Sequence, residues 1–329
     1  MPNGCSSKPW PEHERARAGI LGAASKSLYP HLHMTSPASP IGVFDSGIGG
    51  LSVLQALRHE LPHERFIYLA DSGYAPYGDA RGDAFVQQRT RTIARHLCEQ
   101  HQIKVLVIAC NTATAAAVDM LRAEMPELPL IGVEPAIKPA SLSSQTGHVG
   151  VMATRGTVSS ARFARLVADH GQRVQFHVQP CDGLAKAIEE STEQPVPADP
   201  MATEVARLCA RYVNALGSFG QKTGEMDSLV LGCTHYIFAR EQLRTLLGPD
   251  IQFIDTGAPV ARQTRRVLER LGTLASESGP LPAAEGQVQL MTTGSLQALQ
   301  AAASRWLDLP AQCCSSVQVG ESSAIPTAA

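Results

Sequence analysis

The chain has 329 residues, enough for two domains of ordinary size. Apolar residues make up 44% and the formal net charge is −2, a globular composition without the basic excess on which nucleic-acid binding rests. No apolar run approaches the roughly 20 residues that span a bilayer, and the first stretch holds no compact apolar segment with a cleavage site, so a cytoplasmic protein with no membrane or nucleic-acid partner is expected.

In chain order, residues 1–39 carry scattered charges, prolines and histidines and read as a disordered extension. A Ser/Pro hinge, MTSPASP at Met34–Pro40, leads into a strand over Ile41–Phe44. The glycine-rich turn DSGIGG (Asp45–Gly50) follows, then a helix over Leu51–Leu61 with Leu54, Leu57 and Leu61 on one face. Arg65–Ala70 is a second strand, ending in Asp71, Ser72 and the turn GYAPYG, which contains Tyr77 and Gly78. A helix over Ala84–Gln100, a strand to Cys110, a helix over Ala113–Met125 and a strand over Leu128–Val133 complete the first series. Strands alternating with helices at this interval predict βαβ units and a parallel sheet.

Near Gln145 the pattern restarts: VGVMATRGTVSS (Val149–Ser160) aligns with IGVFDSGIGGLS (Ile41–Ser52). Ser191–Pro200 is a loop, Met201–Leu216 a helix and Gly217–Gly224 a second loop. Then come the strand to Cys233, a strand over Ile251–Asp255, a basic helix over Val260–Leu271 and a late strand over Val288–Thr293. The repeat predicts an α/β fold of two similar parallel-sheet units related by a pseudo-twofold axis, with the active site in the cleft between them. The expected division is 40–138 with 240–308 as the first unit and 139–239 as the second, with a mobile tail over 309–329.

Two segments carry the chemistry: VLVIACNTAT (Val105–Thr114) and its echo SLVLGCTHYIF (Ser228–Phe238). In each, a short apolar run delivers a cysteine to the end of a buried strand, where open α/β sheets bind ligands. Either cysteine alone reads as an ordinary buried thiol; the repeated context points to one reacting centre approached from two sides. A thiolate is the reactive form, and Asp45 and His235 are the nearby groups able to tune Cys110 and Cys233. Ser46, Ser72, Asn111, Thr112, Thr234 and the Tyr77–Gly78 backbone are uncharged hydrogen-bonding groups that suit an amino acid. DSGIGG is not a GxGxxG fingerprint, but its backbone N–H groups suit a small anion such as a carboxylate. The eight cysteines form no CxxC pair and no Cys/His cluster of zinc-like spacing, so no metal site is expected.

DSG at Asp45–Gly47, ADSGYAPYG at Ala70–Gly78, ACNTAT at Ala109–Thr114 and LGCTHY at Leu231–Tyr236 together resemble the cofactor-independent aspartate/glutamate racemase family, on its glutamate racemase side. The likeness runs in order from about Ile41 to Ser295. It implies proton transfer at the α-carbon of glutamate by two bases, with no cofactor, neither pyridoxal phosphate nor metal. One base must stand on each face of the stereocentre, which would put the two sulfurs roughly 6–8 Å apart. By the same resemblance Cys233 deprotonates L-glutamate and Cys110 D-glutamate. Asp45 supports the first cysteine and His235 the second. The family's additional carboxylate matches best at Glu189 in CDGLAKAIEE, where the family's apolar and proline run is altered and Glu190 is the alternative. Substrate contacts fall at Asp45–Ser46, Tyr77–Gly78, Asn111–Thr112 and Thr234–His235.

The resemblance also implies a supply of D-glutamate for peptidoglycan and, in some members, a muramyl-precursor activator; a homodimer is an allowed assembly. Two other readings remain at this point. Aspartate racemase shares the chemistry, and one methylene separates substrates by only about 1–3 kcal/mol. A cysteine hydrolase built on Cys233 and His235 leaves Cys110 unexplained.

Overall fold

The computed structural model describes residues 36–78, 81–195, 198–278 and 283–320. The expected extension over 1–39 lies almost wholly outside the described residues. Its described end is a tight turn closed by Ser39 N–H donating to the Ser36 carbonyl at 2.9 Å.

The first series runs β1 (Ile41–Asp45), α1 (Leu51–Glu60), β2 (Phe66–Ala70), α2 (Gly82–His101), β3 (Val105–Ile108), α3 (Asn111–Glu124), β4 (Leu130–Gly132) and α4 (Ile137–Ser143). The second runs β5 (His148–Ala153), α5 (Arg155–Val158), α6 (Ala161–His170), β6 (Gln175–Pro180), α7 (Leu184–Ser191), α8 (Glu204–Leu216), β7 (Ser228–Gly232), α9 (Arg240–Leu247) and β8 (Gln252–Ile254). The chain then returns through α10 (Gly257–Leu271), α11 (Ala284–Gln287), β9 (Val288–Thr292), α12 (Leu296–Leu307) and β10 (Cys314–Ser316).

The strands form two sheets, parallel throughout: β10-β9-β2-β1-β3-β4 and β6-β5-β7-β8. Strands β1, β2, β3 and β7 are buried along their whole length. That is why they read as continuous apolar runs rather than as alternating ones: helices cover both faces of such a sheet. In each sheet the strand that leads its series sits centrally and the cysteine-bearing strand is its neighbour: β1 beside β3, β5 beside β7. The two cysteines therefore emerge at equivalent places in the two sheets.

The structure corrects two expectations. Strand β8 lies within 240–308 yet pairs with β7 in the second sheet, and Leu243 of α9 is buried with the second unit's core. The chain crosses back only at α10, whose Val260, Ala261 and Leu268 pack in the first core. A three-residue strand between two helices has no periodicity to reveal its partner. The stretch after Leu309 is not a tail as far as residue 320: β10 pairs with β9, and Leu309, Cys313 and Val319 are buried. The apolar residues there are too few and too spaced to signal a strand, and pairing to β9 supplies what local pattern lacks. No helix of the described residues is long and apolar enough to cross a membrane.

Candidate active site

Cys110 lies two residues past the end of β3 and serves as the N-cap of α3, its Sγ accepting from Ala113 N–H at 3.4 Å. The helix therefore begins at Asn111, two residues before the expected start. Caps are usually Ser, Thr, Asp or Asn; a sulfur in that role lies at the positive end of the helix dipole. Cys233 follows β7 but has no capping bond, and the chain continues as a 3-10 stretch, Thr234–Ala239. Its Sγ instead lies 3.8 Å from His235 Nδ1. The two thiols share a sequence context but not a local environment.

Both line one cavity of about 220 Å³, with Asp45, Ser46, Ser72, Tyr77, Asn111, Thr112, Glu189, Thr234 and His235 also on its walls. At about 30 Å³ per water this is room for roughly seven waters, the scale of an amino acid. A larger cavity of about 1070 Å³ lies behind α7 and contains neither thiol, so size does not mark the reacting centre. Gly78 stands just outside the lining. Its φ of +85° admits glycine, and a Cβ there would come within 3.0 Å of Thr112 Cγ2 and 3.3 Å of the Gly156 Cα.

Each thiol lies beside a different ionisable group. Cys110 Sγ donates to Ser46 Oγ at 3.5 Å, and Ser46 Oγ donates in turn to Asp45 at 3.4 Å, so the carboxylate reaches the sulfur through a hydroxyl. Burial pushes the Cys110 thiol up, and the neighbouring Asp45 charge adds to this. Burial also pushes Asp45 up to about 6, against the opposing pull of His235. On the other side His235 Nε2 meets Glu189 at 2.6 Å. Burial alone would lower the His235 pKa; its hydrogen bonds to Cys233 and Glu189 outweigh that and raise it well above the ordinary histidine value. Glu189 moves the opposite way: burial disfavours its charge, but the His235 bond and the Ile48 N–H hold its pKa down. Opposite shifts of this kind describe a charged pair.

Among the two candidate carboxylates Glu189 is the one bonded to His235, while Glu190 pairs with Lys186 at 3.6 Å on the exposed side of α7. Glu189 also accepts from Ile48 N–H at 3.1 Å and Ser72 Oγ at 3.0 Å. The DSGIGG turn is thus occupied differently from expectation. Three of its N–H donors are taken by the protein's own carboxylates: Ile48 by Glu189, Ser46 and Gly50 by Asp45. Its glycines are there for close approach. A Cβ on Gly47 would lie 2.5 Å from Glu189 Oε2, and one on Gly49 would lie 2.3 Å from His235 Nδ1.

Asn111 offers an open polar group to a ligand. Asn111 is 5% exposed, and neither atom of its amide has a partner among the described residues. A buried amide left unsatisfied by protein is the kind of group a ligand completes. Thr112 shares a 3.0 Å hydrogen bond with Thr154, a cavity residue of the second unit that lies in the repeat segment but was not among the expected site residues. Thr154 is the N-cap of α5, and the cues to it were that Ser/Thr capping signal and its place opposite Ser46 in the aligned repeat. Among the described residues no group of three or more His, Cys, Asp or Glu side chains has metal-holding geometry.

The model of the Asp/Glu/Hydantoin racemase family matches residues 51–264. The chain is 45% identical over 243 residues to a glutamate racemase of Stutzerimonas stutzeri, covering 74% of this chain and 87% of that relative. It is 42% identical over 268 residues to one of Ectopseudomonas mendocina, covering 82% and 94%. Among solved structures, glutamate racemase isoform RacE1 of Bacillus anthracis superposes with a TM-score of 0.70 at 29% identity, covering 85% of this chain and 98% of that one. The Escherichia coli glutamate racemase in complex with L-glutamate and the activator UDP-MurNAc-ala gives 0.67 at 29% identity, covering 81% and 95%.

Proposed function

This chain belongs to the Asp/Glu/Hydantoin racemase family, and from that premise we propose that it interconverts L- and D-glutamate by two-cysteine proton transfer. The observation that carries this reading is the single small cavity shared by Cys110 and Cys233, each thiol backed by a separate acid–base partner. The Cys233 thiolate removes the α-proton of L-glutamate. The electron pair left on carbon spreads into the α-carboxylate, and the Cys110 thiol returns a proton to the opposite face. Asn111, Thr112 and Thr234 supply hydrogen bonds to the substrate, and the charged walls at Asp45 and Glu189 suit its ammonium group. The reverse reaction exchanges the two sulfur roles. Ser46 and Asp45 relay the proton of Cys110; the His235–Glu189 pair relays that of Cys233.

The names of the relatives favour glutamate over aspartate, and the family's D-glutamate product would feed peptidoglycan. The E. coli complex supports a muramyl-precursor activator here as well. Incubation with L-glutamate in D₂O tests the whole reading: optical rotation should decay to zero while the α-position takes up deuterium, and added UDP-MurNAc-ala should raise the rate. Racemisation without deuterium uptake, or release of a different product, would sink it.

The pH profile of kcat/KM follows from the two pairs. The relay through Asp45 needs its carboxylate ionised, so activity should fall as pH is lowered through about 6. The relay through His235 needs the imidazolium, so a second fall is expected as pH rises through a value above the ordinary histidine range. Asp45→Asn should remove the acidic limb and cut kcat/KM by about a hundredfold. A limb near 6 that survives this substitution would assign it elsewhere.

A further inference from the structure

Helix α12 packs Leu299, Ala302, Ala303 and Leu307 into the first core, and its other residues reach across to the second unit. Arg305 donates to the carbonyls of Ser191 at 2.9 Å and Gln194 at 2.8 Å. Ser295 Oγ donates to Glu193 at 3.0 Å. The Trp306 ring stacks on Phe238 with centroids 4.5 Å apart and planes 24° off parallel. Ser191 ends α7, two residues beyond Glu189, and Phe238 lies in the 3-10 stretch that begins at Thr234 and His235. One helix of the first unit therefore grips both segments that carry the His235–Glu189 pair.

Arginine suits this place. The last carbonyls of a helix have no partner within it, and the guanidinium fork bonds the Ser191 carbonyl at the negative end of the α7 dipole together with the Gln194 carbonyl in the turn beyond it. The other end of α7 is fixed separately, by the fully buried Leu184 and by Tyr236 Oη donating to the Cys181 carbonyl at 3.3 Å, so the Arg305 contacts act on the end that carries Glu189. We infer that Arg305, together with Trp306, is a positioning residue that sets the Glu189–His235 contact by bracing α7 and the 3-10 stretch from the opposite unit. The inference rests on the acid–base role proposed for that pair.

Three ionisable groups face His235: Cys233 from the end of β7, Glu189 from α7 and Asp45 from the end of β1. Loosening the end of α7 moves Glu189 alone. Burial then weighs more heavily on His235, so its pKa drops and the basic limb of the pH profile moves to lower pH.

The test compares pH profiles of the full chain carrying Arg305→Ala, Arg305→Lys, Glu189→Gln or Arg58→Ala. Arg58 is the control: it donates to the Leu307 carbonyl from α1 and touches neither segment. Arg305→Ala should lower kcat by about tenfold to a hundredfold, the scale of a misplacement near 1 Å. Its basic limb should shift in the same direction as that of Glu189→Gln. Arg305→Lys should recover most of the rate and shift the limb less, and it carries the test if the alanine variant does not fold. Arg58→Ala should lower the melting temperature and leave the limb in place. A shifted limb in Glu189→Gln with none in either Arg305 variant overturns the inference alone. An unshifted limb in Glu189→Gln overturns the acid–base reading and the inference with it.

Discussion

Cys233→Ser should abolish racemisation yet still eliminate chloride from the D-enantiomer of a β-chloro glutamate analogue. Elimination needs one base: the α-proton leaves to a thiolate and chloride departs from the adjacent carbon. Racemisation needs both faces. A serine hydroxyl is a far poorer base than a thiolate, and losing one general base of this kind costs about 10²–10⁴-fold. Cys110→Ser should show the mirror result, eliminating from the L-analogue through Cys233. The half-reaction is needed because the enantiomers of glutamate have equal free energy, so kcat/KM in the two directions stays equal in every variant and cannot separate the cysteines. Polarimetry with chloride release, run on each enantiomer, distinguishes the outcomes. Wild-type racemisation by either variant, or loss of elimination from the same enantiomer in both, would remove the assignment of one cysteine per face.

Arg89→Met should be the most destabilising single change near the substrate loop. Asp71 is fully buried and accepts from four donors: Arg89 Nε at 2.9 Å, Arg89 Nη2 at 2.8 Å, Tyr77 Oη at 2.6 Å and Thr293 Oγ1 at 2.9 Å. Arg89 also donates to the Val319 carbonyl at 3.2 Å and lies 3.7 Å over the Tyr74 ring. One guanidinium thus ties α2, the loop that presents Tyr77 and the stretch that follows β10. Removing it leaves a buried carboxylate without its countercharge, a loss of about 3–5 kcal/mol. Asp71, to which Tyr77 is anchored at 2.6 Å, would itself lose two of its four donors, so KM for glutamate should rise by about tenfold, with kcat less affected, as expected when a substrate-positioning contact is loosened. Urea unfolding and steady-state kinetics on the same preparation check both effects. Arg89→Lys keeps the charge without the bidentate geometry and should fall between. A destabilisation under about 1 kcal/mol, the scale of an exposed pair, would show that the carboxylate has another route to compensation.

Much of this molecule was legible in its sequence because the informative signals are local. Apolar runs ending in Cys110 and Cys233 mark buried strands, and glycine-rich turns after Asp45 and Asp71 mark the strand-to-helix junctions where such folds bind ligands. Those features depend on a few consecutive residues, so a single chain displays them. The tertiary structure decided whatever depends on residues far apart. Glu189 and Glu190 are neighbours in sequence, but about 100° separates them around α7, and only packing turns one toward His235. The N–H groups of DSGIGG all look open to a substrate until Asp45 and a helix from the other unit fill three of them. Strands β8 and β10, three residues each, take their identity from the strand they pair with. The Asp71–Arg89 pair and the brace at Arg305 join segments that carry no shared pattern. Backbone preference and apolar periodicity act over one or two turns, whereas hydrogen-bond satisfaction in a buried cleft is set by whichever distant group arrives there.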